Sequence, residues 1–167
     1  AYIDFTNEPS FIKELDNYPN LVIIQTFSKA WGLAAIRLGM AYASAEIISV
    51  FNKVKFPYNI SDLTQEAGLE AIRNWDGTQV MIQTILEQRT WLANELDQLA
   101  KVEKVYPSDA NFLLVKIENA HQIYLKLIDQ KIIVRDRSKV ILCDDTLRIT
   151  VGTAEENLKL VNALKLV

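Results

Sequence analysis

A continuous apolar run lies near the start of the chain, at residues 21–27 (LVIIQTF). Because it contains β-branched side chains and shows no alternation, it predicts a strand buried on both faces, as in a parallel sheet. The opening residues 1–5 (AYIDF) are also β-prone and predict the interior of a strand. In the rest of the first half, the pattern predicts a short strand over 39–43 and helices over 45–53 and 62–75.

Helical spacing dominates the middle of the chain, where apolar side chains recur from Ile82 to Leu99. Asp76-Gly77 predicts a break, and a helix over residues 78–100 is expected after it. With a rise of about 1.5 Å per residue, such a helix measures about 35 Å, which is long enough to link two domains.

Shorter elements are expected after Lys104. The pattern predicts strands over 111–117, 132–135 and 147–151, and helices over 120–130 and 154–166. Alternation of strands and helices is typical of a compact α/β unit. Its size of about 65 residues is near the lower limit for a domain that is stable by itself.

Composition argues against several classes of protein. The 18 basic and 21 acidic residues give a net charge of −3, so the chain lacks the basic footprint of a nucleic-acid binder. No apolar run approaches the roughly 20 residues of a membrane span, and the opening residues do not resemble a signal peptide. The single cysteine, Cys143, excludes an internal disulfide, fits a reducing cytosol and is expected to be a buried, unreactive thiol.

The strongest candidate chemistry follows the apolar run directly, at Ser28-Lys29 and Arg37. Ligand sites in open α/β sheets lie at the carboxyl ends of the strands. A lysine amine there can form a Schiff base with a carbonyl group. Arg37 and Ser28 can hold a phosphate through guanidinium and hydroxyl donors. From spacing alone, a surface lysine and a surface arginine beside a buried strand remain the other interpretation.

A longer motif surrounds these residues. The stretch resembles the cofactor-lysine motif of fold-type I aminotransferases, which depend on pyridoxal 5′-phosphate (PLP) and often have the form S-K-x-x-x-L-x-G-x-R-x-G. The sequence departs from this pattern at Ala35, where glycine is common. The matching residues are Ser28, Lys29, Leu33, Arg37 and Gly39.

Within that superfamily, the chain is most similar to the histidinol-phosphate aminotransferase subfamily. Val134-Arg135 resembles the end of a strand in that subfamily, and residues 147–153 (LRITVGT) resemble its last strand. Asn111-Phe112 fits as well, and residues 1–5 resemble the tail of the family's D-E-A-Y motif. These segments keep the order of the family along essentially the whole chain.

The resemblance implies a role for each cofactor residue. Lys29 would bind PLP covalently and then act as the general acid and base of the reaction. Tyr2 would donate a hydrogen bond to the phenolic oxygen of PLP. Ser28 and Arg37 would bind its phosphate. For each of these three residues, a purely structural role is the alternative.

The resemblance also implies substrate-binding arginines. Arg148 would bind the carboxylate of an amino acid or the phosphate of histidinol phosphate, and Arg135 would assist it. A doubly charged phosphate favours bidentate guanidinium partners. The alternative for Arg135 is a solvated charge beside Asp136 and Arg137.

Three other polar positions have simpler expected roles. His121, the only histidine, is expected at the surface or at a helix cap. Asp144-Asp145 is expected to form a turn, and no metal site is expected. The aromatic residues Trp31 and Trp75 are expected to be packing residues.

The resemblance therefore predicts an α/β fold in three parts. Residues 1–77 would be the C-terminal portion of the PLP-binding large domain of a transferase, 78–104 a long interdomain helix, and 105–167 a small α/β C-terminal domain. The aspartate that pairs with the cofactor's pyridinium nitrogen and the glycine-rich phosphate loop would precede Ala1. The chain is therefore expected to be about half of an enzyme, and inactive alone.

The implied reaction is transamination between histidinol phosphate and 2-oxoglutarate in L-histidine biosynthesis. Its partners would be a phosphorylated amino substrate and a 2-oxo acid, and the enzyme would be a cytoplasmic homodimer. The alternatives are a threonine-phosphate decarboxylase-like enzyme, an aromatic aminotransferase or a non-catalytic folded fragment.

Overall fold

The computed structural model describes residues 1–166, and Val167, the last residue of the predicted small domain, lies outside the described part. The chain divides into a first unit, Ala1–Ile82, and a second unit that begins at Gln83. Helix α3 (Trp75–Asp97) crosses this boundary. The elements of the first unit that precede it are β1 (Ile23–Thr26), β2 (Gly39–Tyr42), α1 (Ala45–Val54) and α2 (Asp62–Arg73), with 3-10 turns at Ile3–Phe5, Phe11–Glu14 and Ala34–Ile36.

The second unit continues after α3 with alternating strands and helices. In chain order these are β3 (Val102–Val105), β4 (Phe112–Ile117), α4 (Ala120–Asp129), β5 (Arg135–Asp136), β6 (Thr146–Thr150) and α5 (Ala154–Leu166). The strands form an antiparallel sheet in the order β3-β4-β6-β5. One buried core joins this sheet to α4 and α5, with Val115, Leu127, Leu147 and Val161 among its members. The predicted α/β class is confirmed.

The environment predicted for the first strand is wrong. β1 has four residues instead of seven, and it pairs with β2 in the antiparallel direction. The side chain of Ile24 is 73% exposed, so this strand is not buried on both faces. An apolar run indicates that a segment tends to be buried. The direction of strand pairing and the burial of each face depend on the neighbouring segments. Among the described residues, β2 is the only strand paired with β1.

Two further predictions of local structure are wrong. Residues 1–5 do not form a strand, because Phe5 N–H donates to Tyr2 O (2.9 Å) and closes a 3-10 turn. The break between α2 and α3 lies at Asn74 and not at Asp76-Gly77. Glycine inside a helix costs only about 1 kcal/mol relative to alanine, so tertiary packing can keep it there.

Side-chain caps explain where several helices begin. Ser44 Oγ accepts from Ile47 N–H at the start of α1, and Ser61 Oγ accepts from Thr64 N–H at the start of α2. Before α5, Thr153 N–H donates to Glu156 Oε2 (2.8 Å) and Glu156 N–H donates to Thr153 Oγ1 (3.2 Å). This reciprocal capping box satisfies two backbone donors and begins α5 directly after β6.

Candidate active site

The loop between β1 and β2 carries the predicted cofactor residues Ser28, Lys29 and Arg37, and main-chain hydrogen bonds close its base. Thr26 and Gly39 are Cα partners across the two strands. Phe27 N–H donates to Leu38 O (3.1 Å), which extends the pairing by one step. Ser28 and Arg37 therefore both lie within two residues of a paired position. The β1–β2 pairing brings these two motif residues to one end of a short hairpin.

Gly39 has a steric role in this hairpin. A Cβ atom at this position would lie 3.0 Å from the carbonyl oxygen of Gln25 on the neighbouring strand. That separation is tighter than ordinary van der Waals contact, so any larger residue would push β2 away from β1. The glycine that ends the motif thus allows the close approach that forms the base of the loop.

The hydroxyl of Thr26 supports Ser28. Thr26 Oγ1 lies 2.8 Å from Ser28 Oγ and accepts a hydrogen bond from Ser28 N–H at 3.1 Å. Two hydroxyl groups therefore stand together at the carboxyl end of β1. Thr26 was not among the predicted site residues, although a hydroxyl residue two positions before the serine is a readable signal of a local side-chain turn.

Lys29 lies inside the loop, next to the opening residues of the chain. Its side chain is exposed, whereas the flanking Phe27 and Ala30 are buried and anchor the backbone. Lys29 Nζ lies 5.9 Å from the centre of the Tyr2 ring, within the range of a cation–π contact. The structure thus brings Tyr2 and Lys29 close together.

Arg37 occupies an unusual backbone conformation. Its φ angle is 55°, in the left-handed region that side chains other than glycine seldom adopt. Arg37 Nη1 donates to Ala34 O (2.8 Å), and the side chain is otherwise exposed. Positive φ values at non-glycine residues cost about 1 to 3 kcal/mol and cluster at functional sites. The guanidinium is therefore displayed at a cost in backbone strain.

A cavity of about 490 Å³ lies beside the same hairpin. Thr26 and Gly39 line it together with apolar side chains from α2, such as Leu69 and Ile72. Asp4 is its acidic member, and burial raises the pKa of this carboxyl above its usual value, against the lowering effects of its backbone hydrogen bond and the chain's amino terminus. The sequence pattern gave no indication of this cavity.

Aromatic packing stabilises the loop from within the first unit. The ring of Trp31 lies 5.0 Å from that of Phe27 and 5.0 Å from that of Trp75, measured between ring centres. These separations suit tilted aromatic pairs. The predicted packing roles of Trp31 and Trp75 are confirmed.

The two predicted substrate arginines are neighbours in the second unit. Arg135 on β5 and Arg148 on β6 are Cα partners in the antiparallel register. Opposed residues in such a pair project from the same face of the sheet. Like charges in this position repel each other, so the pairing is unfavourable unless an anion lies between them.

Arg148 occupies a partly buried position within a strand. Its neighbours Leu147 and Ile149 face the core, so Arg148 projects from the other face of the sheet. Its guanidinium carbon lies 5.0 Å from the centre of the Phe112 ring, which fixes the side chain over an aromatic surface. Arg148 Nε is buried and has no hydrogen-bond partner among the described residues. A buried donor without a partner is costly, and an anionic ligand oxygen would satisfy it.

The predicted site residues thus form two sets. Tyr2, Ser28, Lys29 and Arg37 belong to the first unit, and the arginine pair belongs to the second.

Within residues 1–166, no group of three or more His, Cys, Asp or Glu side chains is arranged to hold a metal ion. None of the described helices combines the length and apolar character that a membrane span requires. Cys143 is only partly buried, so the predicted full burial of this thiol is wrong.

Comparison with known proteins places the chain in a family. The model of the family "aminotransferase class I and II" matches residues 1–164. A histidinol-phosphate aminotransferase of Cytophaga hutchinsonii is 53% identical over 165 residues, which cover 99% of this chain and 47% of that protein. The chain therefore spans about half the length of this curated relative.

Solved structures show the same fold. The histidinol-phosphate aminotransferase of Clostridium acetobutylicum superposes with a TM-score of 0.90 at 27% identity, covering 99% of this chain and 51% of that one. The Sinorhizobium meliloti enzyme of the same name, solved in complex with pyridoxal 5′-phosphate, has a TM-score of 0.87 at 24% identity, covering 99% and 46%. The predicted fold, part of an aminotransferase, is confirmed. The chain belongs to the aminotransferase class I and II family.

Proposed function

We propose that this chain is the lysine-bearing part of a PLP-dependent aminotransferase and that it also carries the site for the substrate's anionic group. The observation that carries the proposal is the closed hairpin base, where Ser28 and Arg37 lie at one end with Lys29 between them in the loop. Membership of the aminotransferase family supports this assignment. A surface lysine and a surface arginine without a shared role would not need to lie at the same end of a hairpin.

The predicted cofactor residues of the first unit fit three functional groups of PLP. The cofactor has an aldehyde, a phenolic oxygen and a phosphate. The Lys29 amine suits the aldehyde, the Tyr2 hydroxyl suits the phenolic oxygen, and Ser28 with the exposed Arg37 guanidinium suits the phosphate. When bound, the cofactor supplies a carbonyl that accepts an amino group and a ring that withdraws electrons.

Lys29 is proposed to move the proton of the reaction. Its exposed Nζ beside Tyr2 can take a proton from the substrate's α carbon and return one to the product. The buried Phe27 and Ala30 hold the backbone on both sides of Lys29, so only the lysine side chain needs to move.

Arg148 and Arg135 are proposed to bind the substrate's anionic end. An anion on their shared face would remove the repulsion between them and give buried Arg148 Nε an acceptor. Phe112 holds the Arg148 guanidinium in place before the substrate arrives. A phosphate offers enough acceptor oxygens for both guanidinium groups.

The proposed reaction is amino transfer between histidinol phosphate and 2-oxoglutarate, a step of L-histidine biosynthesis. Its support is the 53% identity with a histidinol-phosphate aminotransferase and the paired arginines, which suit a phosphate ester. The chain would act as part of a polypeptide about twice as long, because it spans 47% of that relative. Alone it would lack much of the cofactor site.

Further proposals concern organisation. We propose a large-domain portion over 1–77, an interdomain segment over 78–104 and a small domain over 105–167, in a cytoplasmic homodimer. The predicted helix does not fill the interdomain segment, because α3 ends at Asp97 and strand β3 begins at Val102. Exposed apolar side chains support association, since large exposed patches mark interaction surfaces. In the first unit these include Val54, Phe56, Tyr58 and Leu63.

The test measures amino transfer by the longer polypeptide that contains this chain. We expect faster transfer to 2-oxoglutarate from histidinol phosphate than from aromatic amino acids, with no activity in the Lys29→Ala variant. A faster aromatic reaction would assign an aromatic aminotransferase, and carbon dioxide release from threonine phosphate would assign a decarboxylase. A folded, PLP-loaded polypeptide without any of these activities would contradict the proposal.

A further inference from the structure

Asp136 lies next to Arg135 but on the opposite face of the sheet. Strand β5 has only these two residues, and it is the outer strand beside β6. Asp136 is the Cα partner of Leu147, whose side chain is fully buried in the core. Because side chains alternate along a strand, Arg135 projects with Arg148 while Asp136 points toward the core side.

The Asp136 carboxylate joins β5 to two other segments. Oδ2 lies 2.8 Å from His121 Nδ1 on α4, and Oδ1 accepts from Ser138 N–H at 2.9 Å. The Asp136 side chain is only 16% exposed, whereas that of His121 is 56% exposed. Burial acts to raise the pKa of Asp136, but hydrogen bonds from Ser138 and His121 outweigh it and hold the pKa below its usual value. The carboxylate is therefore ionised at neutral pH and held from two directions.

Strand β5 is short and lies at the edge of the sheet, and its Arg135 faces the like charge of Arg148. It therefore requires an additional contact to stay paired with β6. β5 contributes two register pairs, and one of them places Arg135 against Arg148. Repulsion between these guanidinium groups acts to separate β5 from β6 at the very place where both must face one ligand. The hydrogen bonds of Asp136 oppose this separation from the other face of the strand.

We propose that Asp136 and His121 form a positioning pair that holds the Arg135 guanidinium opposite Arg148 for binding of the substrate's anionic group. The inference rests on the proposed role of the two arginines. Asp136 and His121 do not touch the anion. They act through the backbone of β5, which α4 holds through the His121 contact.

The sign of one measurement separates positioning from simple charge. Replacing Asp136 removes a negative charge beside two arginines, so electrostatics alone predicts tighter anion binding. Loss of positioning predicts weaker binding. For Asp136→Ala and for His121→Ala we expect the Kd for inorganic phosphate to rise about fivefold, the size typical of contacts that couple neighbouring groups. His121→Asn keeps a side-chain N–H near the Nδ1 position and should restore most of the affinity.

The experiment titrates the 167-residue chain with inorganic phosphate and follows the arginine side-chain NMR signals. Glu95→Gln, which removes an ion pair with Lys165 elsewhere in the second unit, is the matched control and should leave the Kd unchanged. Melting temperatures measured in parallel identify a merely structural role, which would lower stability and leave the Kd unchanged at temperatures well below melting.

The outcomes distinguish the two levels of the proposal. If phosphate binds and Arg148→Leu abolishes binding, but Asp136→Ala and His121→Ala bind equally or more tightly than the unaltered chain, the positioning pair is refuted and the arginine site stands. If the unaltered chain shows no phosphate binding that depends on Arg135 and Arg148, the proposed substrate-anion site itself fails. Asp136→Asn provides a second variant with a smaller structural change.

Discussion

Arg135 and Arg148 lie directly opposite each other on the antiparallel strands β5 and β6, so two like charges share one face of the sheet. Arg148 also has a buried Nε atom without a hydrogen-bond partner in the described part of the chain. Neither feature stabilises the fold. Both would become favourable on binding of an anion, which is the role proposed for this pair.

Replacing Arg148 should therefore stabilise the chain. Leucine keeps apolar contact with Phe112 while removing the charge repulsion and the unsatisfied donor. We expect Arg148→Leu to raise the free energy of unfolding by about 1 kcal/mol, measured by urea denaturation. Lys116→Leu, on the neighbouring strand β4, removes a cation that is already paired with Glu103 and should give no such gain. A loss of stability in Arg148→Leu would contradict the assignment.

Asn157 should be the most sensitive polar residue of α5. Its side chain is 2% exposed; Oδ1 accepts from Gly152 N–H, and Nδ2 donates to Gly152 O and to Gln88 Oε1. Asn157→Ala leaves these partly buried groups of Gly152 and Gln88 without their Asn157 partner and should cost about 2 kcal/mol in the free energy of unfolding. Asn162→Ala, at an exposed position of the same helix, is the matched control. Equal effects of the two substitutions would refute this role.

Glu156 should contribute to the loss of folding stability as the pH is lowered. Hydrogen bonds from Thr153 N–H and its hydroxyl lower the pKa of this carboxyl in the folded chain. A lowered folded pKa means that the stabilisation is present above the unfolded pKa and is lost as the pH falls through the folded pKa. Thermal melts on acidification should therefore show a smaller loss of stability in Glu156→Gln than in the unaltered chain. Glu155→Gln, an exposed neighbour with the same charge change, should behave like the unaltered chain.

Substitution of Arg37 by glycine should raise the stability of the fold and weaken cofactor binding. Glycine adopts a φ of 55° without strain, so Arg37→Gly should raise the free energy of unfolding by about 0.5 kcal/mol after its own entropic cost. It should also weaken PLP binding, because the phosphate loses its guanidinium partner. Lys131→Gly relieves a similar φ of 59° in the second unit and should stabilise the chain without affecting PLP. Unchanged PLP affinity in Arg37→Gly would remove Arg37 from the cofactor site.

The sequence identified the family motif, but it did not predict the structural surroundings of that motif. The serine, lysine and arginine of the loop were identifiable because their spacing matches a family motif, and the family itself is confirmed. The environment of β1 was not predictable from LVIIQTF, because strand pairing depends on segments that are distant in sequence. The exposed Ile24 is the direct result of that missing information.

Residues that act through contacts were missed for a different reason. Asp136 was named only as a neighbour of Arg135, and only the register of β5 and the contact with His121 reveal its partner. Asn157 has no local signature, since its partner Gln88 lies 69 residues away. The Thr153–Glu156 capping box was not predicted either, although its spacing is a readable sequence signal.

Lys29 is proposed to be the lysine that binds the cofactor covalently. The direct test adds PLP to the longer polypeptide that contains this chain, reduces any C=N bond with borohydride to a stable amine, and locates the modified lysine by peptide mass spectrometry. We expect that Lys29 is modified preferentially and that Lys29→Ala loses this label, while the exposed Lys53 and Lys55 serve as internal controls. Modification spread evenly over the surface lysines, and unchanged by Lys29→Ala, would contradict it.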